Sequence, residues 1–306
     1  MKLKSLKIIS FDGGGIKGAL SIRILKRLCE EYPDLLDNID LFAGTSTGSL
    51  IALALASGLS VNDVDNLYSH EITKTIFSKP RLNLFRPKFN NKNLKSVLLK
   101  YFPENLTLKD LPKYVCIPSF NVTGLNSKHW EPVFFNNLTD NKTINYNIID
   151  VALASSAAPT FFPSHKNFID GGVVANSPTT ISVFHCIDAF PNIDFKQNIK
   201  LLSIGTGDSP YRITKSTSNW GISQWSFRLF AKMNSPLLSL VMDGMCDLDN
   251  MYCNVLLKDN YFRINPKISK LIEMDNYNFV PFLKLLADSI DLADSFKFIE
   301  TIFLKD

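Results

Sequence analysis

The 306-residue chain contains no uninterrupted apolar run approaching the roughly 18 residues needed to cross a bilayer as a helix. Lysines at positions 2, 4 and 7 precede an apolar stretch that breaks at Asp12, too short for the core of a secretory signal. The five cysteines (Cys29, Cys116, Cys186, Cys246 and Cys253) are odd in number and scattered, with no Cys-x-x-Cys pair. That spacing argues against a disulfide framework or a zinc finger and for reduced thiols in a cytoplasmic setting. Charge of one sign is also missing: 33 basic against 29 acidic residues leave +4. A dedicated nucleic-acid binder would carry a larger basic excess or a stripe, so no nucleic-acid polymer is expected as partner. There is no internal repeat, no low-complexity tract, and only four histidines.

What remains is an ordinary globular composition, 45% hydrophobic and 20% charged. It reads as a single domain over 1–306, with a motif-bearing core over about 6–266 and a helical segment over about 279–305. Leu6 to Phe11 predicts a short buried strand, and a helix follows from about Ala19 to Glu31. Between them lies Asp12-Gly13-Gly14-Gly15-Ile16-Lys17-Gly18, whose bare backbone N–H groups form a ready anion cradle. Two chemistries want such a loop, an oxyanion hole or a dinucleotide pyrophosphate. The second requires an acid closing another strand about 20 residues on. Asp34 and Asp37 follow a helix instead, and no Gly-Lys-Ser/Thr ending makes the loop a P-loop.

The next segment, Leu41-Phe-Ala-Gly44-Thr-Ser46-Thr-Gly48, has the Gly-x-Ser-x-Gly spacing of a nucleophile elbow. In that turn a strand reverses sharply into a helix (here Thr47 to about Ser57) and holds one serine hydroxyl proud of it. The alternative is a plain strand-to-helix turn. Ser60 predicts a second helix running to about Thr73. Residues 75–89 combine four basic residues, three phenylalanines and two prolines without an acid, which suits either a flap at a lipid interface or a loop packed on the body. Further on, Phe168-Ile-Asp170-Gly171-Gly172 predicts a strand ending on a carboxylate, either a catalytic acid or an Asx turn. The stretch with Trp220 and Trp225 suits a second interfacial element or, as the preferred reading, the core side of a helix; a helix from Ser235-Pro236 to about Leu256 follows, and 279–304 reads as helical.

Taken in order, Asp12-Gly13-Gly14-Gly15-x-x-Gly18, Gly44-Thr45-Ser46-Thr47-Gly48 and Asp170-Gly171-Gly172 resemble the patatin-like phospholipase family. The resemblance spans nearly the whole chain and implies an α/β fold: a three-layer α/β/α sandwich with a mostly parallel central sheet, a modified α/β-hydrolase plan. It also implies a Ser46–Asp170 catalytic dyad without histidine. Gly13, Gly14 and Gly15 would supply the oxyanion hole, and Asp12, Lys17, Gly18, Gly44, Gly48, Gly171 and Gly172 complete the motifs. Lys17 stands where the family usually has arginine, and Asn176-Ser-Pro178 replaces its usual Asn-Asn-Pro or Asn-Pro-Pro. The expected substrate is the acyl ester of a glycerophospholipid or galactolipid at a membrane surface, with no metal or other cofactor. The protein would be cytoplasmic and associate peripherally with membrane during turnover. Alternatives are a soluble esterase or thioesterase, a non-catalytic lipid-binding protein, and a bacterial antiphage effector gated by a cyclic-nucleotide activator. For a buried Asp170 acting as base, the expectation is a pKa raised above that of a free carboxyl.

Overall fold

The computed structural model describes residues 5–82, 85–125, 128–208, 210, 213–226 and 236–305. Among these residues seven strands make one sheet: β1 (Leu6–Phe11), β2 (Leu41–Gly44), β3 (Tyr114–Asn121), β4 (Glu131–Asn136), β5 (Phe168–Asp170), β6 (Ile199–Ile204) and β7 (Tyr261–Ile264). Their order is β4-β3-β2-β1-β6-β7, with β5 on β3. The five strands from β3 to β7 in that order run parallel, whereas β4 and β5 lie antiparallel to β3. Alternation along β1 shows how the layers form. Ile9 and Phe11 enter one core, Ile8 and Leu6 the other, because successive side chains of a strand point to opposite faces. Both faces must therefore be covered, and helices cover them.

The first half supplies α1 (Gly18–Glu31), α2 (Thr47–Ala56), α3 (Val61–Leu67), α4 (His70–Ile76), α5 (Lys92–Tyr101) and α6 (Ile148–Ser155), all on the larger core. The second half supplies α7 (Gly172–Ala175), α8 (Thr179–Ala189), α9 (Phe195–Asn198), α10 (Ile222–Ser226), α11 (Pro236–Leu257), α12 (Val280–Ser289) and α13 (Ala293–Phe298). Of these, α8 and α11 cover the smaller core, while α12 and α13 return to the larger one. This is a mixed α/β fold, a central sheet between two helical layers. Among the described residues no helix is long and apolar enough to cross a membrane.

Three expectations need correction. The helix expected over 60–73 is two, α3 and α4. Tyr68 turns in to bond the Thr47 hydroxyl at 2.6 Å, and Ser69 caps a fresh start by accepting the Ile72 N–H. The terminal helical pattern is likewise broken, where Asp291 accepts the Ala293 N–H at 2.9 Å and begins α13. Trp220 and Trp225 pack edge-on against each other at 5.0 Å and join neither core cluster. The Ser235 expected to cap α11 lies outside the described residues.

Residues 77–89 divide. Phe77, Phe89 and Phe162 stack together, Phe89 is buried, and Lys88 pairs with Asp275. Leu82 and Phe85 stand exposed, Phe85 to 94%. The described part of the loop is thus fastened at Phe77, Lys88 and Phe89 and presents Leu82 and Phe85 to solvent.

Candidate active site

Ser46 and Asp170 are brought together by strand register. Along one edge of β3, β2 pairs with residues 114–116 and β5 with residues 119–121. Because β2 runs parallel and β5 antiparallel to β3, their C-terminal ends meet head on. The elbow leaves one end, and the Asp170 carboxylate ends the other.

At the elbow Ser46 takes φ 53° and ψ −118°, a conformation costing a non-glycine residue about 1–3 kcal/mol. The surroundings enforce it. The Ser46 N–H donates to Ser155 Oγ at 3.0 Å, and that hydroxyl donates to the Pro118 carbonyl at 2.7 Å. Ser49 Oγ donates to the Ser46 carbonyl at 2.6 Å, and Thr45 Oγ1 to the Ala175 carbonyl, also at 2.6 Å. A Cβ on Gly44 would strike the Gly48 backbone, and one on Gly48 the Phe11 backbone. The turn is that tight.

Asp170 is 1% exposed. Its Oδ1 accepts the Gly172 N–H at 2.7 Å, an Asx turn, while Oδ2 has no hydrogen bond of full geometry. The two sequence readings of this residue thus coexist on its two oxygens. Burial pushes the Asp170 carboxyl up to about 6, opposed by hydrogen bonding from the Ser46 hydroxyl and the Gly172 N–H. The Ser46 hydroxyl is near enough to stabilise the carboxylate, though not clamped to it.

The glycine loop lies across from them. Gly15 has φ 61°, and a Cβ there would meet the Met274 carbonyl. The Gly13 N–H is already engaged, donating to the Asn176 carbonyl at 2.9 Å, and the Ile16 N–H donates to the Met274 carbonyl at 2.8 Å. Among the described residues the Gly14 and Gly15 amides have no such partner. Asp12, at the root of the loop, forms a two-pronged buried pair with Arg263 of β7 (2.5 and 3.3 Å), and Arg263 also donates to Ser203 at 2.7 Å. Ser46, Asp170, Gly14 and Gly15 border one cavity walled by Leu50, Leu67, Ile76, Phe77, Leu94, Phe161, Phe162 and both Met242 and Met274.

No histidine lines that cavity. His165 bonds Asp150 at 2.7 Å, and His185 packs against Phe134. Lys17 points to the far side of the loop, while Gly18 packs beneath it against Thr47 and Tyr68. Among the described residues no cluster of histidine, cysteine and acidic side chains is arranged to hold a metal.

Comparison with known proteins supplies the family. The patatin-like phospholipase family model matches residues 9–183. The chain belongs to the patatin-like phospholipase family. A protein named teg from Priestia megaterium is 33% identical, over 96% of this chain and 98% of its own. Patatin-like protein 4 of Arabidopsis thaliana is 28% identical, over 87% and 77%. A cGAMP-activated phospholipase of Escherichia coli is 29% identical, over 83% and 76%.

Sequence reasoning assigned no role to three residues that hold this patatin-like site in shape. Ser155 is one small residue in a run of them, and nothing local marks the two hydrogen bonds it bridges. Arg263 comes from the far end of the chain. Asn176 stood out only as the first residue of Asn176-Ser-Pro178, a stretch that departs from the family pattern at Ser177, yet its carbonyl positions Gly13 and its side chain donates to Cys246 at 3.2 Å. A polar residue beside a glycine or proline turn was the available signal for the last.

Proposed function

We propose that this patatin-like protein is a serine acyl hydrolase of glycerophospholipids, working through Ser46 and Asp170. The observation that carries the reading is the facing pair. A strained serine stands opposite a desolvated carboxylate with one oxygen unspent, and both open on an apolar cavity. Asp170 Oδ2 accepts the Ser46 proton as Oγ attacks the ester carbonyl. The tetrahedral oxyanion is held by the Gly14 and Gly15 amides, with Gly13 fixing the loop; each such donor is typically worth about 10²–10³ in rate. Collapse expels the lysolipid alcohol, which takes the proton back from Asp170. Water then enters and attacks the acyl carbonyl as Asp170 takes its proton; collapse of the second tetrahedral intermediate releases the fatty acid, and Asp170 returns the proton to Ser46 Oγ. A carboxyl near pH 6 is better matched to this duty than a free aspartate. The whole chain would act as one catalytic unit, and the exposed Leu82 and Phe85, among Lys79, Arg81 and Arg86, would meet the membrane surface.

The test is fatty-acid release from mixed phospholipid vesicles by the wild type, Ser46→Ala and Asp170→Asn. Release by the wild type and loss in both variants is expected; equal release by Ser46→Ala would sink the reading. A second reading, an enzyme idle until a cyclic dinucleotide binds, draws on the Escherichia coli relative named for cGAMP activation. Turnover by the wild type without added nucleotide would exclude it.

A further inference from the structure

The Gly14 and Gly15 amides belong to two peptide units, and each unit is fixed by what its carbonyl bonds. No cis peptide occurs among the described residues, so the C=O and N–H of a unit point in nearly opposite directions. In the Gly14–Gly15 unit the carbonyl accepts the Lys17 N–H at 3.3 Å, a bond within the loop's own backbone. In the Gly13–Gly14 unit the carbonyl accepts a side-chain hydroxyl, Thr206 Oγ1, at 3.0 Å. A side chain from far along the chain thus decides where the Gly14 N–H points. Thr206 lines the cavity beyond the loop, Ser46 lines the cavity in front of it, and Gly14 borders both. With its carbonyl turned back to Thr206, this unit aims the Gly14 N–H towards the Ser46 side.

Thr206 is itself firmly held. It is 6% exposed and leaves β6 in a turn tied to the end of β7. The Gly205 N–H donates to the Ile264 carbonyl at 2.9 Å and the Gly207 N–H to Asn265 Oδ1 at 2.8 Å. Ser21 Oγ of α1 donates to the Gly205 carbonyl at 2.8 Å. A Cβ added to Gly14 would come within 2.9 Å of three Thr206 atoms, Oγ1, Cβ and Cγ2. The bare face of Gly14 therefore seats on a branched side chain that is stiff about χ1, and the hydroxyl stays on the carbonyl. A hydrogen bond accepted by a peptide carbonyl also polarises that peptide and strengthens its N–H as a donor.

We propose that Thr206 is a positioning residue of the oxyanion hole, its hydroxyl turning the Gly13–Gly14 peptide so that the Gly14 N–H meets the charge developing on the ester oxygen. The role presupposes the acyl-hydrolase reading above. It is exerted in the transition state, because a ground-state carbonyl oxygen is a weak acceptor and the tetrahedral oxyanion a strong one. Removing the hydroxyl should therefore show in kcat and leave KM in place.

The test compares wild type, Thr206→Val, Thr206→Ala and Thr206→Ser on a short-chain ester and on two probes that do not turn over, a trifluoromethyl ketone and the ether analogue of the ester. On the ketone, Ser46 Oγ adds to the carbonyl carbon, its proton passes to Asp170 Oδ2 and the C=O π pair moves onto oxygen. Ketone affinity thus reads the oxyanion hole, and ether affinity the pocket alone. Thr206→Val and Thr206→Ala are each expected to lower kcat at least about 10-fold with KM within about twofold. Ketone binding should weaken by a similar factor while ether binding stays within about twofold. Thr206→Ser keeps the hydroxyl and should remain within about threefold of wild type throughout. Unchanged kcat in the valine and alanine variants, equal losses on ketone and ether, or a serine variant as impaired as valine would overturn the proposal. Ester hydrolysis indifferent to all three substitutions removes the role and leaves the hydrolase. A wild type that cleaves no ester, yet binds the ketone more tightly than Thr206→Val does, removes the hydrolase and keeps the role. A wild type that neither cleaves the ester nor binds the ketone removes both.

Discussion

Around Ser46, neighbouring groups are held from several elements at once. Ser155 of α6 fixes its N–H, Ser49 of α2 its carbonyl, and β1 closes on Gly48 from below. Among the described residues of 77–89, the contacts to the body lie near the ends, in the Phe77–Phe89–Phe162 cluster, the Lys88–Asp275 pair and the Lys88 and Phe89 N–H bonds to Thr160 and Phe161, while Leu82 and Phe85 meet solvent. Both regions are marked in the sequence, one by glycines and one by aromatics among cations. The proposed function gives a reason for the difference: a reacting hydroxyl would need one position, whereas a surface meeting a soft, variable partner would not. Substitutions should therefore be felt sharply at the first and little at the second.

The largest contrast is expected in catalysis. Ser46→Ala and Asp170→Asn should each lower kcat/KM on a short-chain ester by at least about 10⁴-fold, while Phe85→Ser leaves it within about threefold. A Phe85→Ser loss as deep as the dyad's would erase the distinction drawn here.

Next comes stability. Arg263→Met strands the buried Asp12 carboxylate and should destabilise the chain by about 3–5 kcal/mol, seen as a fall in the urea midpoint. Phe85→Ser should stay within about 0.5 kcal/mol of wild type.

Asp170 supplies a smaller and pH-dependent effect. Its carboxyl is raised from 3.8 to about 6, so the folded chain holds a proton that the unfolded chain has released between those values. The stability this contributes is complete below about pH 4 and lost as pH rises through about 6. Asp170→Asn escapes the loss, and should be more stable than wild type by up to about 3 kcal/mol at pH 8, the gap closing towards pH 4. A gap independent of pH would show the carboxyl is not the titrating group. The same ionisation should set the acidic limb of wild-type kcat/KM near pH 6; a limb near pH 4 would count against Asp170 as base.

Much of this fold can be read from the chain because its signals are local. The runs at 6–11 and 199–204, the glycines of the elbow and the Asp170-Gly-Gly turn each announce an element within a few residues. Tyr68 shows where such reading stops. Its hydroxyl reaches Thr47, and the resulting kink ends α3 where periodicity alone continues the helix. The tryptophans show a second limit: hydrophobic residues at helical spacing do not say whether they face a core or each other. At the site, residue types and order were legible, but the division of labour among the three glycine amides was not. That follows from Asn176, whose carbonyl occupies the Gly13 N–H from far along the chain.

The head-on meeting of β2 and β5 along β3 has a consequence for how the molecule tolerates change. Separation between Ser46 and Asp170 is counted in rungs of one hydrogen-bond ladder, not in residues of intervening polypeptide. Whole helices could be inserted after α2, or between β4 and β5, without altering it. A slip of one rung between β3 and β5 would move Asp170 by about 3.4 Å and turn its side chain to the opposite face. The loops are free to diverge in length; the pairing of Ser119 with Asp170 is not.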